Sequence, residues 1–149
     1  MVIRDVMTSA VVTAAVHTPV REVAEIMRER NVGAVVLCAE DGSPSGIVTD
    51  RDVAVGVVAA GRDPQAAAGD HASSPVVTGE PEMDLGEAAT LMARFGIRRL
   101  PVVEGGRLAG MLTLDDIAVR TADPELRGSL TATITRSALP EFYFHQRGG

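Results

Sequence analysis

Two short motifs carry the residue types that could do chemistry in this sequence, Thr49-x-x-Asp52 and Thr113-x-x-Asp116. In each motif a hydroxyl precedes a carboxylate by three residues, where a predicted strand ends and a predicted helix begins. This spacing is that of a capping box, in which both side chains bond free backbone N–H groups. The same geometry suits a ligand, because a helix start attracts phosphate and a carboxylate can accept both ribose hydroxyls. The residues alone leave both interpretations open.

The two motifs differ in the arginines beside them. Arg51 lies inside the first motif, whereas Arg98 and Arg99 precede the second. A guanidinium donates two parallel hydrogen bonds to a phosphate, so we predict unequal nucleotide affinity, with Arg51 and Arg98 mattering most for polyphosphates. Because Arg98 and Arg99 are adjacent on a predicted strand, we expect at most one of them to face a given cleft. The alternative for each is a surface charge in weak ion pairs.

Other chemistry is poorly represented. The three histidines are scattered without metal-ligand spacing, and the single cysteine, Cys38, ends an apolar run typical of a buried core thiol. No Gly-x-x-x-x-Gly-Lys loop is present, which excludes a P-loop hydrolase. We therefore predict no catalytic residues, no metal site and no enzymatic activity.

Composition excludes further classes of function. The chain has 149 residues, a net charge of −6 and 46% hydrophobic residues, which is typical of a globular acidic protein. The negative charge argues against nonspecific binding to nucleic acid or anionic lipid. No apolar run approaches the ~20 residues of a membrane helix, and the first residues do not resemble a secretion signal. We expect a soluble, cytoplasmic protein without a nucleic-acid or membrane partner.

The chain repeats itself. Val11-Val12-Thr13 recurs as Val76-Val77-Thr78, an offset of 65 residues, and Gly46 recurs as Gly110 at an offset of 64. The loop after the third predicted element is one residue longer in the first copy, which accounts for the change. One period across several segments indicates two copies of one structural unit.

Each copy is predicted to fold as β-α-β-β-α. In the first, Val11-Val12 forms a strand, Thr18 caps a helix and Pro19 is its first residue. In the second, Asp84 begins the corresponding helix. Apolar runs and turn residues predict the remaining strands at 34–38, 46–49, 100–103 and 108–112. A second helix follows each Thr-x-x-Asp motif.

The predicted boundaries are residues 2–62 for repeat 1, 66–121 for repeat 2 and 122–149 for a tail that is helical and then extended. Leu126, Leu130 and Ile134 fall on one helical face of the tail, and Phe142-Tyr143-Phe144 follows. Two interpretations stay open for it. The tail packs on the body or on a second copy of the chain, or it docks over a ligand cleft or a partner.

Three segments resemble the CBS domain family. They are Gly46-Ile47-Val48-Thr49-Asp50-Arg51-Asp52-Val53, its counterpart Gly110-Met111-Leu112-Thr113-Leu114-Asp115-Asp116-Ile117, and Gly96-Ile97-Arg98-Arg99-Leu100-Pro101-Val102. The resemblance covers about residues 2–121, and this part of the chain is similar to a tandem CBS pair, the Bateman module. It implies an α+β fold in which two repeats face each other about a pseudo-twofold axis, with clefts between them, and a homodimer.

The resemblance also implies a function. Such modules are regulatory and bind adenosine-containing ligands, here AMP, ADP, ATP or S-adenosylmethionine, and standalone bacterial examples are linked to stress or hypoxia. No cofactor is required. A magnesium ion could accompany ATP at the carboxylates of the two motifs, although the spacing of these residues does not require one. The ligand-binding residues expected in the first copy are Val12, Val32, Ile47, Thr49, Arg51 and Asp52. Those expected in the second copy are Val77, Ile97, Arg98, Arg99, Met111, Thr113 and Asp116.

Two hypotheses remain at this point. The first is a ligand sensor that signals by changing its dimer or its affinity for an unidentified protein target. The second is a structural or protein-interaction module whose clefts bind no ligand. The apolar residues among those expected to bind could form the apolar slot that an adenine ring needs. The alternative is that they are ordinary core residues.

Overall fold

The computed structural model describes residues 1–74 and 76–137. The chain divides into two packing units. The first unit comprises Ala10–Val77 together with Val103–Ala109, and the second comprises Met1–Ser9, Thr78–Val102 and the described residues from Gly110 onward. Residues at the start of the chain thus pack with the second copy of the sequence repeat. The predicted repeat boundaries stay a prediction, since they describe the sequence period and not these packing units.

The first unit contains a three-stranded sheet and two helical segments. Its strands are ordered β1-β2-β3, with β1 parallel to β2 and β3 antiparallel to β2. Its elements are β1 (Thr13–Ala15), α1 (Val20–Arg30), β2 (Ala34–Cys38), β3 (Pro44–Thr49) and a π-helix (Asp52–Ala59). A single 3-10 turn at Ala68–Asp70 follows.

The core of the first unit lies between α1 and the sheet. The predicted apolar stripe of α1 is confirmed, because Val20, Val23 and Met27 are all buried. Alternate residues of the strands face them, which is why β2 and β3 each bury apolar side chains. The remaining buried members of this core are Val35, Leu37, Val48, Val57 and Ala68.

The second unit is built on a hairpin and three helices. Its elements are a 3-10 turn (Ile3–Asp5), α2 (Leu85–Phe95), β4 (Arg99–Glu104), β5 (Arg107–Thr113), α3 (Leu114–Arg120) and α4 (Pro124–Ser137). Strands β4 and β5 pair with each other, and the hairpin tip that joins them belongs to the first unit. The predicted start of α2 is confirmed, since the Asp84 carboxylate accepts the Gly86 and Glu87 N–H groups at 2.8 and 3.4 Å.

The tail helix packs on the body of the second unit. Helix α4 contacts both α2 and α3, and it buries Leu130 and Ile134 on one face. Of the two interpretations of the tail, this supports packing on the body for residues 124–137. The aromatic segment Phe142-Tyr143-Phe144 lies outside the described residues.

The α+β class is confirmed and the first unit has the β-α-β-β-α order, but three local predictions were wrong. Strand β1 covers Thr13–Ala15, and Val12 contributes only its carbonyl, to the Val36 N–H at 3.2 Å. Thr18 does not cap α1, because its hydroxyl accepts the Ala15 N–H at 3.2 Å and closes the preceding turn. In the second copy the first strand is reduced to one bridge at Gly79, a residue with low strand propensity.

Among the described residues, no helix is long and apolar enough to cross a bilayer.

Candidate functional site

The first Thr-x-x-Asp motif forms a reciprocal capping box in the first unit. The Asp52 N–H donates to the Thr49 hydroxyl at 3.1 Å, and the Thr49 N–H donates to Asp52 Oδ2 at 2.8 Å. The neighbouring Asp50 carboxylate accepts the Arg51 N–H at 2.9 Å. The amides of Arg51 and Asp52 at this helix start are therefore bonded to side chains of the motif itself.

The second motif forms the same box and is held more tightly. The Asp116 N–H donates to the Thr113 hydroxyl at 3.0 Å, and the Thr113 N–H donates to Asp116 Oδ2 at 3.0 Å. The other oxygen, Oδ1, accepts the Thr8 hydroxyl at 3.0 Å and lies 3.7 Å from Arg120 Nε. Asp116 is only 8% exposed. Both of its oxygens already have protein partners.

The two carboxylates therefore differ in what they offer a ligand. The repeat offsets align Thr8 with Ser73 and Arg120 with Gly56. Neither Ser73 nor any other described residue donates a hydrogen bond to Asp52 Oδ1. Asp52 Oδ1 has no donor among the described residues, whereas a ribose hydroxyl at Asp116 would have to share each oxygen with a donor already bound there.

A cavity of about 240 Å³ lies within the second unit, beside this second box. It is lined by residues that end or begin elements, namely Arg98, Arg99, Thr113, Leu114 and Asp115. The pairing of β4 with β5 brings the start of one strand beside the end of the other. The Leu114 N–H then donates to the Arg98 carbonyl at 3.0 Å, which fixes the first turn of α3 against the residue before β4.

The cavity carries positive charge and hydrogen-bond donors. Arg98 and Arg99 are exposed, and no carboxylate among the described residues pairs with either guanidinium. The Thr113 hydroxyl accepts the Asp116 amide, so its own hydrogen remains to donate. The one acidic residue in the lining is Asp115. This arrangement can hold an anion such as a phosphate, because guanidinium forks and hydroxyls are its usual partners in proteins.

The structure brings three of the predicted site residues together here: Arg98, Arg99 and Thr113. Both arginines line this cavity, and the expectation that at most one of them faces a given cleft stays a prediction. Arg98 lies before the first residue of β4, so the strict alternation of strand side chains does not govern it. Thr49, Arg51 and Asp52 lie together in the first unit, where Arg51 is exposed.

The predicted apolar residues are spread over both units. Val12 and Val32 pack against the core of the first unit, which fits their alternative interpretation as core residues. Ile47 is half-buried in β3 and bonds Ser73 through its backbone. Val77 is half-buried in the first unit, whereas Ile97 and Met111 belong to the second. Their roles toward a ligand stay a prediction.

Sequence reasoning missed Leu114 and Asp115 as cavity residues and Thr8 as a partner of Asp116. The repeat alignment contains a signal for Leu114. An offset of 64 places it opposite Asp50, and both residues directly follow the threonine of a Thr-x-x-Asp motif. Thr8 carries no comparable signal, since nothing in the sequence indicates that the first residues pack with the second copy. Within the described residues, no three His, Cys, Asp or Glu side chains group as a metal site.

Comparison with known proteins points to one family. The CBS domain model matches residues 3–58 and 68–122. The CBS domain-containing protein YhcV of Bacillus subtilis is 38% identical over 133 residues, which covers 89% of this chain and 94% of that protein.

Two solved structures share the fold. Hypoxic Response Protein I, crystallised with two coordinated zinc ions, is 33% identical with a TM-score of 0.75, covering 81% of this chain and 99% of that one. The CBS domain protein PAE2072 of Pyrobaculum aerophilum, complexed with AMP, is 27% identical with a TM-score of 0.76 and covers 89% of this chain and 99% of that one.

Proposed function

Because this chain belongs to the CBS domain family and carries two copies of the domain, we propose that it is a regulatory module that senses an adenosine-containing ligand. The observation that carries this proposal is the cavity of the second unit, where Arg98 and Arg99 lie beside the Thr113 hydroxyl and no carboxylate of residues 1–74 or 76–137 pairs with them. AMP, ADP, ATP and S-adenosylmethionine are the ligands proposed. Of these, AMP is bound by the related PAE2072 protein.

CBS domain proteins are regulatory as a class, and the residues of this cavity agree with a binding role. Two arginines and a threonine can bind and orient an anionic group, but the lining offers no nucleophile with an adjacent base. A bound ligand would act by favouring one conformational or assembly state over another, which requires different affinity for the two states. A magnesium ion accompanying ATP, a role in stress response, a cytoplasmic location and the absence of catalysis belong to this same proposal.

A homodimer is also part of the proposal. Val55 and Val58 of the π-helix are 52% and 73% exposed, although both are apolar. An exposed apolar helix face is a common site of self-association. Light scattering coupled to size-exclusion chromatography tests this point. A mass of twice 15.6 kDa is expected, and a single-chain mass contradicts it.

The alternative is a protein-interaction module whose clefts bind no ligand. One observation favours it, namely that both oxygens of Asp116 are occupied by Thr113, Thr8 and Arg120. A carboxylate held in this way serves the fold without any ligand. Under this alternative, the C-terminal tail would contact an unidentified protein target.

A thermal-unfolding scan against AMP, ADP, ATP with and without magnesium, and S-adenosylmethionine separates the two functions. A ligand present at 100 times its dissociation constant stabilises the folded state by about 2.7 kcal/mol. That moves the midpoint by several degrees in a domain of this size. A shift in the parent protein that is lost in the double variant Arg98→Gln/Arg99→Gln supports the proposal.

The matched control is the double variant Arg28→Gln/Arg30→Gln, which removes the same charge from exposed positions on α1. It should shift with the ligand as the parent does. A shift that survives in the Arg98→Gln/Arg99→Gln protein moves the ligand away from this cavity. No shift with any member of the panel rejects the sensor and leaves the interaction module.

A further inference from the structure

We propose that the cavity of the second unit selects its ligand by anionic charge and that residue 114 sets this selection, while its counterpart Asp50 excludes phosphate from the matching place in the first unit. The inference rests on the proposed function only in taking this cavity as the ligand site. It names the ligand class of the site, a polyphosphate, and it makes the two copies of the repeat unequal.

The backbone around the two positions is the same. The Leu114 N–H donates to the Arg98 carbonyl at 3.0 Å, and the Asp50 N–H donates to the Gly33 carbonyl at 3.0 Å. Each residue directly follows the threonine of a capping box with the same pair of reciprocal hydrogen bonds. The side chain at this position is therefore one of the differences between the two environments.

The two side chains have opposite effects on an anion. Leu114 is 9% exposed and lines the cavity without charge. Asp50 is exposed, and its carboxylate is fixed beside the Thr-x-x-Asp motif by the hydrogen bond from the Arg51 amide at 2.9 Å. A phosphate placed there would meet a fixed negative charge at short range, which is repulsive even in a partly solvated site.

The cations reinforce the difference. The second unit places Arg98 and Arg99 at the cavity against one acid, Asp115. The corresponding residues of the first unit are Gly33 and Ala34, which carry no charge. The cavity of the second unit is thus net positive, whereas the matching residues of the first unit, with Asp50 and Arg51, are not. More phosphate groups on a ligand should strengthen binding to the second unit alone.

Isothermal titration calorimetry at constant ionic strength tests the inference with adenosine, AMP, ADP, ATP and inorganic tripolyphosphate as probes. In the parent, affinity should rise from adenosine to ATP. Tripolyphosphate should also bind, although it has no adenosine. Leu114→Asp places in the cavity the carboxylate that the first unit has at Asp50. It should weaken ATP binding about tenfold or more, because charged hydrogen bonds and nearby charges change binding affinity by about this factor. Adenosine affinity should change little.

Leu114→Asn is the matched control, because it has the shape of the aspartate without its charge. It loses the same apolar contact as Leu114→Asp, so it should bind ATP at least about threefold more tightly than Leu114→Asp does, and this difference reports the charge alone. Asp50→Asn removes the excluding charge from the first unit. It should leave ATP affinity at the second unit unchanged and allow a second, weaker site for tripolyphosphate in the first unit. Since Leu114 is buried, Arg99→Gln serves as a second variant that leaves the core intact. It should reduce the affinity ratio of ATP to AMP.

The outcomes separate this inference from the proposed function. Equal affinity for adenosine, AMP and ATP overturns the charge selection and leaves an adenosine sensor standing. Binding of tripolyphosphate and ATP with no binding of adenosine or AMP supports the charge selection but removes adenosine as the recognised group. Unchanged ATP affinity in a folded Leu114→Asp protein, or in Arg99→Gln, overturns the inference.

Discussion

The Thr8 hydroxyl donates a hydrogen bond of 3.0 Å to Asp116 Oδ1, joining residues that are 108 positions apart in the chain. The first residues of the protein thus support the capping box that begins α3. Arg120 adds to this contact by donating to the Met7 carbonyl at 3.1 Å and by lying 3.7 Å from Asp116 Oδ1. The first copy of the motif has no equivalent contact among the described residues, and this difference leads to the first two predictions.

Thr8→Val should lower the free energy of unfolding by about 1 kcal/mol, because it removes one hydrogen bond to a buried carboxylate and keeps the side-chain shape. Urea denaturation followed by circular dichroism measures the change. Ser73→Ala at the equivalent position is the control, and it should stay within about 0.5 kcal/mol of the parent because Ser73 is exposed. Equal losses in the two variants would show that the Thr8 contact contributes nothing specific.

Asp116→Asn should destabilise the protein by about 1–3 kcal/mol, more than Asp52→Asn does. Asp116 accepts donors at both oxygens, so the amide nitrogen of an asparagine must face one of them. Asp52 accepts a described donor at one oxygen only, and its asparagine can keep that bond. Urea denaturation of the two variants measures this, and Asp116→Asn should unfold at the lower urea concentration. A larger loss in Asp52→Asn contradicts the assignment of partners.

Ile134→Ala should cost about 2–5 kcal/mol, the range for truncating a fully buried aliphatic side chain. Ile134 is 0% exposed on the face of α4 that packs against the second unit. Ser129→Ala, on an exposed position of the same helix, should change stability by less than about 0.5 kcal/mol. If Ile134→Ala unfolds at the parent's urea midpoint, α4 is not part of the folded core.

Cys38 should react slowly with a thiol reagent such as Ellman's reagent. Partial burial raises the pKa of its thiol, because the thiolate is poorly solvated. At pH 8 the folded protein should react more slowly than the same chain in urea, and its rate should increase with pH. Equal rates in the two states would mean that the thiol is fully solvated.

The same shift has a consequence for stability. Below the pKa of the unfolded chain both states keep the thiol proton, and the contribution of Cys38 is complete. As pH rises from there through the raised folded-state pKa, the unfolded chain loses its proton first and the free energy of unfolding falls. Cys38→Ala should remove this alkaline decrease.

Much of the fold follows from the sequence, because its signals are local. The spacing of Val20, Val23 and Met27 predicts the buried face of α1, and Asp84 predicts the start of α2. The assignment of Thr18 as a cap failed because two local hydrogen-bond partners competed for one hydroxyl. The π-helical form of Asp52–Ala59 has no signal that periodicity would reveal.

The candidate site was predictable in its residue types but not in its arrangement. The two Thr-x-x-Asp motifs form the capping boxes that their spacing predicts. The meeting of Arg98 and Arg99 at one cavity depends on where β4 begins, which is a difference of one residue. The occupation of Asp116 by Thr8 depends on long-range packing, and no local pattern encodes such a contact.

The pairing of the first nine residues with the second unit also sets an order of folding. The Ile3 and Arg4 N–H groups donate to the carbonyls of Met83 and Pro81, each at 2.9 Å. Residues 3 and 4 are synthesised before the first repeat, yet their partners are made only after the whole of that repeat. Closing so long a loop is entropically costly and slow. A nascent chain stopped between the repeats would therefore hold residues 1–9 without their native partners, and neither repeat by itself comprises a complete packing unit.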